Sequence, residues 1–385
     1  MANGRLPPAL HPAAATAAYV GFVVVTIVAY LIYEIVLFDV NPHTLLFSGF
    51  LIVFLWYLAS NPETVRSWRP ELSRHIVWYA IFVFTYWYTF WIGINAAKSA
   101  DLALAFLALV IVVSPWAVDR FCTLDPIRNR RQFYCTSLML VVGVALVKLN
   151  LTSFDTQSIY NRVKDLEWFS SGCFLIAVLA EAAQEVIMTQ VHEAIHQKRI
   201  GYYANMKLPP GVAIGDVAGN DLILMSYPLC VAMSLLVLLV DGSWPWLPSH
   251  AGFGLLSILW FIFWLAVLGL AGTLYRAEVI NPLRVSKGLP ADGIGPWMAI
   301  RLVIFGVAAA ALFEVLDKLV TQSECSNHIC GFSVYGSYLR INMDFVPEPN
   351  RTYYLGAVLI FLAFAVRFFA TWRELRRRYQ QHRAA

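Results

Sequence analysis

The sequence predicts an all-α, polytopic integral membrane helix bundle of about ten transmembrane helices, with both termini cytoplasmic. Three observations lead there. About ten apolar stretches run along the chain, most near the length of roughly 20 residues that carries a helix across a hydrocarbon core of about 30 Å. Arg and Lys gather in every second gap between them, the asymmetry that orients membrane helices. Composition agrees: 59% of the 385 residues are hydrophobic and 14% are charged, against roughly 25% charged in soluble domains.

The expected spans, in chain order, are 16–38, 42–59, 75–95, 99–118, 134–150, 168–190, 221–240, 252–274, 297–317 and 352–372. The first run is too long for a signal-peptide core and reads as an uncleaved span. The basic gaps hold Arg66, Arg69 and Arg74, then Arg120, Arg128, Arg130 and Arg131, then Lys198, Arg199 and Lys207, then Arg276, Arg284 and Lys287. Residues 373–385 form a basic cytoplasmic tail carrying Arg373, Arg376, Arg377, Arg378 and Arg383. The gap 318–351 is the longest non-cytoplasmic loop, and it holds Cys325 and Cys330 on the side where a disulfide persists. Cys122, Cys135, Cys173 and Cys230 lie in or beside apolar segments and read as small core residues.

The whole of 1–385 reads as one transmembrane domain, divisible by span count into halves 1–150 and 168–372. Five spans per half would make the halves inverted, as in many transporters; no motif repeats between them. The third span is crowded with rings from Trp78 to Trp91, which cover every side of a helix and therefore read as packing rather than as one ligand-facing stripe. The net charge of +4 sits in short loops and the tail. Nothing in it points to nucleic acid, and no phosphate loop, nucleophile elbow or dinucleotide fingerprint is present.

The sixth span carries the chemistry. It reads Glu181-Ala-Ala-Gln-Glu185-Val-Ile-Met-Thr-Gln-Val-His192-Glu193-Ala-Ile-His196. At about 100° per residue, Glu181, Glu185, His192 and His196 fall within roughly 60° of one another. Ionisable groups at membrane depth are costly unless they face a cavity, a partner or an ion. The leading expectation is a transporter or ion- or proton-coupled permease, with Glu181 and Glu185 in the pathway and His192 and His196 relaying at its mouth. Its substrate would be a small molecule or an ion.

His192-Glu-Ala-Ile-His196 is also an H-E-x-x-H match. Two His one turn apart can hold a zinc ion, and the intervening Glu can deprotonate its water. In these five residues the segment resembles membrane-embedded zinc metallopeptidases. The resemblance implies His192 and His196 as metal ligands and Glu193 as catalytic base, with Asp216, Asp221 and Glu278 as candidates for a third ligand. A third expectation is a non-catalytic subunit of a larger membrane complex. The lipid bilayer is the partner in every reading, and the Ala-, Val-, Arg- and Trp-rich usage suggests a bacterial inner membrane.

Overall fold

The computed structural model describes residues 42–60, 70–96, 109–123, 130–149, 151, 157, 160, 168–197, 199–200, 214–242, 325–326, 329–334, 337–342 and 351–384. They form seven α-helices: α1 (Pro42–Ser60), α2 (Ser73–Ala96), α3 (Val110–Phe121), α4 (Arg130–Leu149), α5 (Trp168–His196), α6 (Ile214–Val240) and α7 (Arg351–Ala384). A short 3-10 turn, Pro70–Leu72, leads into α2. Proline suits a helix start, where its missing N–H is not needed.

The expectation of ten spans is corrected. Among the described residues, three helical stretches are long and apolar enough to cross a membrane: Pro70–Gly93, Arg130–Leu149 and Trp168–Ile195. Apolar stretches of α1, α6 and α7 (Pro42–Leu55, Leu224–Val240 and Arg351–Ala363) fall in the 10–17-residue class, about 15–25 Å as helix and short of the hydrocarbon core. The run expected at 99–118 is helical from Val110 and spans 12 residues, with Pro115 inside it. The last span does not stop at its apolar end but continues as one helix of 34 residues through Arg367 and the basic tail. An apolar run thus overstates a span when its apolar stretch ends before the helix does. The expected spans 16–38, 252–274 and 297–317 lie outside the described residues. What stands is a multi-pass membrane protein with a few apolar helices of transmembrane length.

The segment 318–351, expected as the longest non-cytoplasmic loop, carries strands among its described residues. Residues there form a three-stranded antiparallel sheet in order β1 (Cys325–Ser326), β2 (Ile329–Val334) and β3 (Ser337–Asn342).

Helix α5 packs against α2, α3 and α6, while α1 joins α6 and α2. Contacts fix the directions. Gln184 of α5 reaches the carbonyl of Phe82 on α2, and Gly93 of α2 meets Cys173 and Phe174. Eleven residues forward on α2 therefore match about ten backward on α5, so the two are antiparallel. His43 and Phe50 of α1 meet Tyr88 and Phe84 of α2, and Asp241 and Tyr227 at α6. Helix α1 therefore runs against both, which makes α2 and α6 parallel and α5 opposed to them.

The rings of α2 fill this assembly. Tyr79, Tyr86, Phe90 and Trp91 are buried, and Phe90 meets Phe174 edge-on with centroids 6.1 Å apart. Helices α4 and α7 form a second tight pair. Gly143 meets Gly356 and Ile360, Val147 meets Gly356, and the Thr352 hydroxyl donates to the Leu151 carbonyl at 2.8 Å. These positions advance by four residues on each helix in opposite directions, so two antiparallel ridges interlock. Leu140, Val144, Ile360 and Ala363 form the buried cluster beside that seam.

Candidate functional site

Helix α5 carries all five residues singled out in the sixth span, and its position makes it the structural axis of the larger helix group. Glu185 is buried at 8% exposure, and Glu181, one turn earlier, is half-buried. Gln184 and Thr189 beside them are buried too. Their polar ends are used locally: Gln184 Nε2 donates to the Phe82 carbonyl at 3.3 Å, and Thr189 Oγ1 donates to the Glu185 carbonyl at 2.8 Å. The first bond ties α5 to α2, and the second closes within α5 one turn back. Glu185 is the buried carboxylate among these residues.

Helix α5 continues through His192 and His196, whose side chains lie outside the described residues. Glu193 is placed differently from its neighbours. Its Oε1 accepts a hydrogen bond from the Thr123 backbone N–H and another from Thr123 Oγ1, at 2.8 Å. Nearby, the Cys122 thiol donates to the Val186 carbonyl at 3.7 Å. The end of α3 is thus tied to the last three turns of α5, and Glu193 is the principal anchor. A general base must present its oxygen to water, and one oxygen of Glu193 already serves the chain. Among the described residues no three His, Cys, Asp or Glu side chains are grouped to hold a metal.

Two further residues belong to this end of the bundle. Counting back seven residues on α2 from Phe82, and forward seven on α5 from Gln184, places His75 level with the His192 turn. Its Nδ1 is buried and has no hydrogen-bond partner. Asp221 lies on α6, on the side of Cys230 nearer that same end, and is buried at 3% exposure. Asp221 entered the sequence reading only as a third metal ligand, and His75 did not enter it at all. The signal for both was present as polar residues shortly before apolar runs, but such residues are usual at wet helix ends.

The cysteines divide. Cys122, Cys173 and Cys230 are buried as expected, whereas Cys135 is exposed on α4, a correction to its reading as a core residue. It follows Tyr134, exposed on the same helix with Leu138.

No family model matches the chain, and no curated protein matches it. Among solved structures, one described as "Crystal structure of protein" is similar over 94% of this chain and 98% of that one, at 14% identity and a TM-score of 0.47. A likeness at that level carries no argument here.

Proposed function

We propose that this multi-pass membrane protein is a permease, coupled to an ion or proton, whose pathway includes Glu181 and Glu185. The observation that carries the reading is the burial of the Glu185 carboxylate in a helix packed against three others. A carboxylate at membrane depth is retained where it binds something or pairs. Gln184 and Thr189 support it by locking the backbone around it. His192 and His196, two and three turns further along the same face, would accept or release the ion at the mouth, and His75 stands at the same level. The exposed apolar side chains of Leu138, Leu179, Leu236 and Phe369 suit lipid as the surrounding phase. Residue usage supports a bacterial inner membrane as its location.

The hydrolase reading needs Glu193 as base. Its bonds to Thr123 favour a tether instead, so we do not adopt it. Zinc remains a candidate for the transported or coupling ion, with His192 and His196 as its ligands.

The test is flux in proteoliposomes. Vesicles holding an entrapped pH dye and a zinc dye, under an imposed gradient of each ion, are compared between the wild-type protein and a Glu181→Gln, Glu185→Gln variant. Wild-type flux of either ion that the variant loses supports the reading; flux unchanged in the variant removes its basis.

A further inference from the structure

The sheet beyond the helices places two cysteines across from one another. In the pairing of β1 with β2, Cys325 is the partner of Cys330 and Ser326 is the partner of Ile329. Only Asn327 and His328 lie between the inner pair, so this is a hairpin with a two-residue connection. In such a hairpin the pair that closes the turn exchanges backbone hydrogen bonds. The next pair out does not, and it brings its Cα atoms to about 4.5 Å. Disulfides span Cα separations of roughly 4.4–6.8 Å. Cys325 and Cys330 occupy that outer position.

The register also assigns them a face. Residues opposite one another lie on the same side, and so do alternate residues along a strand. By register, Cys330, Phe332 and Val334 of β2 stand opposite Ile341, Leu339 and Ser337 of β3. The alternate positions are Ile329, Gly331 and Ser333, opposite Asn342, Arg340 and Tyr338. Among the described residues, Cys122, Cys135, Cys173 and Cys230 form no disulfide.

We propose that Cys325 and Cys330 are joined as a disulfide that clips the tip of this hairpin. The bond forms by exchange with a disulfide-carrying oxidant. The thiolate of one cysteine attacks that disulfide and releases one thiol. The thiolate of the second then attacks the mixed disulfide, forms the Cys325–Cys330 bond and releases the other. Two protons and two electrons leave the pair, and the oxidant becomes a dithiol. The inference is independent of the proposed transport activity. It carries a consequence for topology: the 318–351 segment meets an oxidising compartment.

The experiment counts thiols. Full-length protein is purified without reductant, denatured with a maleimide polymer present, and resolved on a gel, with and without prior reduction. The chain has six cysteines, and Cys122, Cys135, Cys173 and Cys230 form no disulfide. We expect four labels before reduction and six after it. A Cys325→Ala, Cys330→Ala variant should give four in both lanes, and Cys325→Ala alone should give five in both. Oxidised glutathione added to the reduced, folded protein should restore the four-label form. Six labels without reduction would overturn the proposal. So would a reductant-sensitive dimer lost in the double variant, which would place the bond between chains.

Discussion

Replacing Gly356 with alanine tests the α4–α7 crossing most directly. A Cβ at that position would stand 2.5 Å from the Gly143 carbonyl oxygen, and 2.9 Å from both the Val147 nitrogen and its Cγ2. Two of the three obstacles are backbone atoms, which no rotamer change removes. The gap must open from 2.5 Å to the 3.4 Å at which ordinary contact begins, so the helices must part. Parting them loosens the buried Leu140, Val144, Ile360 and Ala363 cluster and stretches the Thr352–Leu151 hydrogen bond. Overpacking of this kind costs about 1–3 kcal/mol. A value of about 2 kcal/mol shifts the folding equilibrium roughly 30-fold. The readout is the apparent melting temperature in detergent, where a drop of several degrees is expected. Gly172 supplies the control. It also sits in a helix, but a Cβ there would have nothing within 4 Å. Gly172→Ala should be neutral, or stabilising by up to about 1 kcal/mol through helix propensity. If Gly356→Ala melts with Gly172→Ala rather than well below it, the close crossing is refuted.

Thr352→Val keeps the side-chain shape but leaves the Leu151 carbonyl without its donor; a loss of about 1–2 kcal/mol is expected, measured in the same melt. Glu193→Ala should free the end of α3 and cost about 1 kcal/mol, whereas Glu193→Gln, which keeps an acceptor oxygen for Thr123, should lose less. Equal loss in both variants would show that charge rather than the tether matters. Phe174→Ala, emptying the space between Gly93 and Phe90, should cost about 3–5 kcal/mol and lower the yield of folded protein. In the flux assay, Glu185→Gln should lose transport while its melting temperature stays within a few degrees of wild type. A melt lowered as far as that of Phe174→Ala would identify Glu185 as structural.

How far the sequence carries depends on which signal each element leaves. Helix α5 was legible because an apolar run interrupted at helical spacing by Glu181, Glu185, His192 and His196 has one natural geometry. The expected span began at the residue where the helix begins, Trp168, and fell short only at the wet end, where the helix carries its histidines on to His196. Helix α3 left a weaker signal. The run 99–118 is mostly apolar but holds Asp101, Ser114 and Pro115, and the helix described within it is Val110–Phe121. The sheet was legible in principle. Cys330, Phe332 and Val334 alternate with Gly331 and Ser333, and Tyr335-Gly336 separates them from a second alternating run. That period of two is a hairpin signal, but it spans a dozen residues in a chain read for runs of twenty.

The Gly143–Gly356 seam shows where reading from sequence stops. Both glycines lie in apolar helices, where glycine is common, and either could have been explained by lipid or by a bend. What gives them meaning is that two backbones touch there, with Val147 and Ile360 one turn away on each side. Small residues permit such contact between membrane helices, but they do not name the partner, which lies more than two hundred residues away along the chain. The same limit applies to Glu193. Its place in H-E-x-x-H suggests a base, and nothing near it in sequence announces Thr123. Only the approach of α3 to α5 shows that its carboxylate holds a chain end. A short motif states which reactions its residues could perform; the neighbour that folding brings to each side chain decides which of them stays open.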